Sequence, residues 1–207
     1  MTPAQLKKAW EEAAQGKVTN WNQVDPSFPD QALKLFGPGT DSGTFEYFTE
    51  AINGKAKSSR GDYTASEDDN VLVQGVSGDK GGLGYFGLAY YIENKDKVKA
   101  VAIQNKSGEF VLPSVDAVKA GTYNPLARPI FIYVSKSAMD RKEVKDFVNF
   151  YLDNAPGIVK DVGYVPLPDE AYKALKQRVA AGKTGTVFGG KEQIGMTIEQ
   201  LVGAETK

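Results

Sequence analysis

Apolar positions along this chain fall into short groups, each with its own period. Leu6, Ala9, Trp10 and Ala13 share one helical face behind Thr2-Pro3-Ala4-Gln5, a capping box with proline at the first helical position. The pattern predicts a helix from Pro3 that Gly16 ends. Leu33 to Phe36 reads as a short strand, and Gly37 to Thr44 as a glycine-rich loop. Phe45, Phe48, Thr49 and Ile52 return to helical spacing. Ser66-Glu67-Asp68-Asp69 starts a further helix through Val71, Leu72 and Val76. Leu83 to Tyr91 and Val98 to Ile103 look strand-like, Ser114 caps a short helix stopped by Gly121, and Pro129 to Val134 is the most β-prone run. Val144, Phe147, Val148, Tyr151 and Leu152 then mark the strongest helix, and Pro156 and Gly163 bracket one more. Tyr164 to Pro168 cannot be helical and reads as a crossing segment, and Asp169 caps a helix through Tyr172, Leu175 and Val179 that Gly182 stops. The tail from Thr184 is glycine-rich, with one more box at Thr197-Ile198-Glu199-Gln200. Alternating strands and helices predict an α/β fold.

Composition narrows the chemistry. The 207 residues carry 41% hydrophobic and 25% charged positions, enough for a buried core without staples. The formal charge of -1 gives no basic face for nucleic acid. Neither cysteine nor histidine occurs, which removes disulfides, thiolate and imidazole metal sites, cysteine nucleophiles and the Ser-His-Asp triad. Binding is therefore favoured over catalysis, and no cofactor is expected. No apolar run approaches the ~18 residues of a membrane span, and Thr2 to Lys8 does not read as an export signal.

Four motifs bear on function. Thr40-Asp41-Ser42-Gly43-Thr44 lies between a predicted strand and a predicted helix. Free N–H groups of a first helical turn converge there, the hydroxyls of Ser42 and Thr44 add donors, and Gly43 admits a ligand close to the backbone. An anion cradle and a plain N-cap turn both fit these residues. Gly82-Leu83-Gly84-Tyr85-Phe86-Gly87 matches G-x-G-x-x-G but enters a strand instead of following one, so the dinucleotide context fails. Gly182-Lys183-Thr184 imitates the end of a phosphate loop whose first glycine would fall on Gln177. Ser77-Gly78-Asp79-Lys80 and Lys183-Thr184-Gly185 sketch an acyl-transfer enzyme using Ser77 and Lys80, without an intervening S-D-N and with Ser77 in a glycine-rich turn. Arg60 is either an oxyanion fork or a surface arginine.

Longer stretches carry a resemblance. Gly16-Lys17-Val18-Thr19-Asn20-Trp21 resembles a helix-end signature of type II periplasmic binding proteins. Gly37 to Phe45, with Ser59-Arg60-Gly61-Asp62-Tyr63-Thr64-Ala65-Ser66-Glu67-Asp68-Asp69-Asn70, resembles the phosphate-binding proteins of the phosphate ABC transporter. Gly81 to Phe86 and Gly163 to Pro168 fit the same family.

That resemblance implies a type II binding-protein lobe, a mixed β-sheet flanked by helices, and a non-enzymatic role as the solute-binding component of a phosphate importer. Its partners would be inorganic phosphate and ABC permease subunits, and its place the periplasm or cell surface. The family's S-G-T donors carry onto Ser42, Gly43 and Thr44. Its arginine, often just before S-G-T, has no counterpart in Pro38-Gly39-Thr40-Asp41, so Arg60 is expected to neutralise the anion while Asp41 points away or caps. Residues 1–163 are expected to form the second lobe and 164–207 a returning segment, in a chain that lacks the first lobe. The strand that pairs with Pro129 to Val134 in the family would then lie upstream, which predicts an open edge at Ile130 to Val134, self-association through it, and exposure of Leu175 and Val179. The rival readings are a fold segment without usable affinity and the Ser77/Lys80 enzyme.

Overall fold

The structure, a computed structural model, describes residues 1–186, 188, 193–197, 200, 201 and 203. It comprises two units, Met1–Ala117 and Val118–Lys207. In the first unit, helix α1 (Pro3–Trp10) starts at the expected box: Gln5 N donates to Thr2 Oγ1 at 3.1 Å and Thr2 N to Gln5 Oε1 at 2.8 Å. Leu6, Ala9 and Trp10 are buried. The helix stops at Trp10 and not near Gly16, because donors from far along the chain take its last carbonyls. Trp10 O accepts from Arg60 N at 3.1 Å and Ser59 Oγ at 3.2 Å, and Ala9 O accepts from Arg60 Nη1 at 3.0 Å. The turn Glu12–Ala14 that follows buries Ala14, while Ala13 is exposed. One further helical turn, α2 (Trp21–Val24), leads on to the sheet.

Strands β1 (Lys34–Gly37), β2 (Thr64–Ala65) and β3 (Gly82–Gly84) form a parallel sheet in the order β2-β1-β3. Phe36 pairs with Thr64 and with Gly84. Parallel neighbours need crossovers, and helices supply them. Helix α3 (Gly43–Phe48), prolonged by a π turn over Thr49–Asn53, joins β1 to β2, and α4 (Asp69–Gly78) joins β2 to β3. Phe45, Phe48, Thr49 and Ile52 are all buried, as their spacing predicts. The core under α3 is aromatic: the Tyr85 ring stacks on Phe48 at 3.8 Å and meets Trp10 edge-on at 4.8 Å.

Two strand expectations shorten. Of Leu83 to Tyr91 only the start is strand; Gly87 then opens helix α5 (Leu88–Glu93). Of Val98 to Ile103 only Ile103 is paired, in β4 (Ile103–Gln104) against the antiparallel β5 (Phe110–Val111). Ser114 caps α6 (Val115–Lys119) through Ala117 N at 3.0 Å.

In the second unit, helix α7 (Lys142–Asp161) buries Val148, Leu152 and Ala155. It runs on through Pro156, where a break was expected. A proline removes one N–H, and the buried Val148, Leu152 and Ala155 just before it anchor a helix that is already formed and continues for one more turn. Tyr164 to Pro168 is not helical, as expected, and α8 (Asp169–Ala180) follows with Pro168, not Asp169, at the N-cap. Ala171 and Tyr172 are buried, and Leu175 and Val179 are half-buried where exposure was expected. Thr197 and Gln200 exchange the two bonds of a capping box; Ile198 and Glu199 lie outside the described residues. The run Pro129 to Val134 is not a strand: among the described residues it pairs with none, and Ile130 and Tyr133 are 66% and 81% exposed. β-propensity needs a partner ladder to become a strand. Among the described residues no helix is long and apolar enough to cross a membrane.

Candidate functional site

The three parallel strands deliver their loops to one end of the sheet, the carboxyl end, where ligands of open α/β sheets bind. Pro38 to Ser42 leaves β1 there, Ser66 to Asp68 leaves β2, and Tyr85 to Gly87 leaves β3. The loop from β1 is tied down at several points. Gly37 O accepts from Ser66 N at 3.2 Å, Pro38 O from Tyr63 Oη at 2.9 Å, and Gly39 O from Ser42 N at 3.1 Å.

Ser42 is the N-cap of α3, with Oγ accepting from Thr44 N at 3.1 Å and Phe45 N at 3.4 Å. The N-cap reading of this serine is thus realised, and it does not exhaust the residue. An oxygen that accepts from two amides keeps its own O–H as a donor. The Gly43 N–H makes no hydrogen bond to the described residues, and Gly43 is exposed. Ser42 and Thr44 are half-buried and Asp41 faces solvent, so one hydroxyl donor and one backbone donor stand together at a helix start.

The surroundings of the loop are acidic. Glu67 Oε1 lies over Gly39, where a Cβ would collide with it. Burial first, then the neighbouring Asp68 and Glu67 charges, push the Asp69 carboxyl up from its ordinary value. Beneath the loop, the rings of Tyr85 and Tyr63 flank Gly37, and burial pushes the Tyr85 hydroxyl far up. That hydroxyl is buried and finds no hydrogen-bond partner among the described residues.

Arg60 is not brought to this loop. It precedes Thr64, the partner of Phe36, and shares a pocket at the amino end of the sheet with Thr19, Leu33, Lys34, Asp62 and Thr64. Its side chain is 4% exposed, and four hydrogen bonds leave it: Nε to Asp62 Oδ1 at 2.5 Å, Nη2 to Asp62 Oδ2 at 2.8 Å, and Nη1 to Ala9 O at 3.0 Å and Val18 O at 2.9 Å. The fork expected to face an oxyanion therefore grips a carboxylate of the chain itself, two residues on. The spacing R-x-D was visible in the sequence; the two carbonyls that complete the cage were not, since they come from residues about 40 to 50 positions away. Tyr63, which bonds the loop directly, was missed because nothing in its neighbours points to Pro38.

Ser77 lies in the last turn of α4, not in a loop, and its Oγ donates back to Gln74 O at 3.1 Å. Ser77 and Lys80 are both exposed. An acyl-transfer nucleophile needs a base within reach and a sheltered site, and this helix end offers neither. The glycines of Gly82 to Gly87 serve packing: Gly84 lets Val76 and Phe36 approach, which seats α4 on the sheet.

A family model and several known proteins resemble this chain. A family model described as PBP superfamily domain matches residues 2–155. Protein SphX of Synechococcus elongatus is 56% identical over 205 residues, covering 99% of this chain and 60% of its own length. The phosphate-binding protein PstS of Staphylococcus haemolyticus is 37% identical, covering 82% of this chain and 51% of its own. The crystal structure of a possible phosphate binding protein from Planctomyces limnophilus superposes with a TM-score of 0.77 at 46% identity, over 89% of this chain and 65% of that one. A putative phosphate ABC transporter substrate-binding protein from Clostridium perfringens, at 22% identity and a TM-score of 0.61, shares the fold. The chain thus spans about half to two thirds of the length of these proteins.

Proposed function

Because the chain belongs to the PBP superfamily domain family, we propose that it binds inorganic phosphate as part of a non-enzymatic, solute-binding component of an ABC-type importer. The observation that carries this is the loop Pro38 to Thr44, opening a helix at the carboxyl end of a parallel sheet with the Ser42 hydroxyl and the Gly43 amide side by side. The SphX, PstS and Planctomyces proteins support it by their likeness. In our reading Ser42, Gly43 and Thr44 hold the anion. Arg60, nominated by the sequence as the charge partner, serves it from the far end of the sheet by anchoring the segment that carries Tyr63. Permease subunits, a periplasmic or cell-surface location, and a division into a lobe over residues 1–163 and a returning segment over 164–207 belong to the same proposal.

Affinity in this chain alone should be weak. The anion meets few donors, water competes for them, and the Glu67 carboxylate at Gly39 opposes its charge. Titration of the chain with inorganic phosphate, followed by amide chemical shifts, should show saturation at roughly millimolar concentration, with the largest shifts at Ser42 to Thr44. Thr44→Val should weaken it about tenfold, the share of one hydrogen bond to a charged group. Unshifted amides in this loop would refute the assignment.

Self-association is a second, separate proposal, carried by the exposed run Ile130 to Val134. Sedimentation should show a concentration-dependent dimer that Ile132→Lys abolishes, because charge blunts strand pairing. A monomer at all concentrations would end it.

A further inference from the structure

Tyr63 reaches both ends of the loop that carries Ser42, Gly43 and Thr44. At the near end its ring edge lies against Gly37, and its hydroxyl donates to Pro38 O at 2.9 Å. Pro38 is fully buried, so its carbonyl has little access to water as an alternative partner. At the far end the same ring stacks on Phe45, with centroids 6.5 Å apart and planes 20° from parallel. Phe45 is the residue whose amide Ser42 Oγ caps, so the stack fixes the first turn of the helix.

Tyr63 is itself held. Trp10 meets its ring edge-on at 5.5 Å, the next residues pair with Phe36 and Gly37, and the preceding Asp62 is gripped by Arg60. Burial, with the Glu67 charge second, pushes the Tyr63 hydroxyl up from its ordinary value, so it stays a donor throughout the physiological range.

We propose that Tyr63 is a positioning residue of the anion loop: its bond to the Pro38 carbonyl and its stack on Phe45 hold the two ends of the loop so that the Ser42 hydroxyl and the Gly43 amide point at one place. The proposal rests on the phosphate reading above and adds to it a residue that touches no ligand. Losing the hydroxyl orphans a buried carbonyl, and the loop must shift to find it a donor. A preorganised set of donors would thereby be lost without loss of the fold.

The test is Tyr63→Phe in the 207-residue chain, titrated with inorganic phosphate beside the parent and Thr44→Val. Tyr63→Phe should raise Kd about five- to tenfold and speed exchange of the hydrogen-bonded amides of Ser42 and Thr44, with exchange in α4 unchanged. A lower unfolding midpoint with Kd and loop exchange unchanged would make Tyr63 merely structural and overturn the proposal. Should Tyr63→Phe fold poorly, Phe45→Leu removes the stacked ring and keeps the hydroxyl bond. It should raise Kd about two- to threefold, on the scale of one aromatic pair, and an unchanged Kd would count against us. Weakening by Thr44→Val but not by Tyr63→Phe would sink this inference alone. Absence of saturable binding by the parent would sink the phosphate reading, and this inference with it.

Discussion

Arg60→Ala should lower the stability of the chain by about 3 kcal/mol, whether or not phosphate is present. The guanidinium joins three stretches of chain: the end of α1 through Ala9 O, the turn at Val18 O, and its own segment through Asp62. Removing it strands two carbonyls, at roughly 1–3 kcal/mol each where they stay dry. Breaking a buried ion pair costs about 3–5 kcal/mol when the surviving charge stays buried, but Asp62 is partly exposed and can rehydrate, which reduces that share. Arg60→Lys should recover little, because an ammonium cannot serve two carboxylate oxygens and two carbonyls in one plane.

The same pair sets an acid-side signature. Hydrogen bonds from Arg60 hold the Asp62 carboxyl down at about 2, from an ordinary 3.8, with burial opposing and the Gly16 amide assisting. A carboxyl whose folded value lies below its unfolded value stabilises the fold fully above the unfolded value. That share drains away as pH falls from 3.8 toward 2. In Arg60→Ala the slope of stability over this window should flatten. Denaturant melts at several pH values check both claims. A variant as stable as the parent that nonetheless loses phosphate affinity would return Arg60 to the anion.

The second large effect is expected at Gly81. A Cβ there would collide with the carbonyl oxygen of Ala32, which is backbone and cannot rotate aside. The residue cannot retreat either. Its carbonyl accepts from Trp21 Nε1 at 3.0 Å and from Lys34 N at 3.1 Å, and its N–H donates to Asp79 Oδ1 at 2.8 Å. Any shift breaks the entry of β3 alongside β1. Gly81→Ala should therefore cost about 3 kcal/mol, at the upper end of overpacking, and lower the melting midpoint by roughly 6–12 °C. Gly78→Ala is the matched control. At the end of α4, with nothing within 4 Å of its would-be Cβ, it should be neutral or stabilise slightly by reducing the freedom of the unfolded chain. Equal melting of the two variants would mean that the close approach at Gly81 is not as described.

What could be read in advance follows the range of the forces involved. The box at Thr2-Gln5 and the cap at Ser42 are bonds within three residues, and both were legible as letters. So were β1 and the buried face of α3, where periodicity reports burial directly; the helix α7 was legible too, but of its apolar stripe only Val148 and Leu152 are buried, while Phe147 and Tyr151 are exposed. The end of α1 was not legible, because Arg60 and Ser59 decide it from some 50 residues away. Pro129 to Val134 has the composition of a strand and no ladder to join, so local preference alone misled. At the candidate site the strand, loop and helix start that carry Ser42, Gly43 and Thr44 were legible. The role of Arg60 was not, since a guanidinium that can grip an oxyanion grips a nearby carboxylate by the same geometry. Tyr63 escaped notice for a related reason: a tyrosine three residues beyond an arginine says nothing of the proline carbonyl that it will meet across a parallel strand pair.

In the reading proposed above, an oxyanion binds at the loop on the carboxyl end of the sheet. Amide chemical shifts recorded during a titration with inorganic phosphate, against a chloride control of equal ionic strength, test it most directly. Saturable shifts centred on Ser42, Gly43 and Thr44, about tenfold weaker in Thr44→Val, are the predicted result. Shifts spread over surface lysines that chloride reproduces, with the Gly43 amide unmoved, would contradict it.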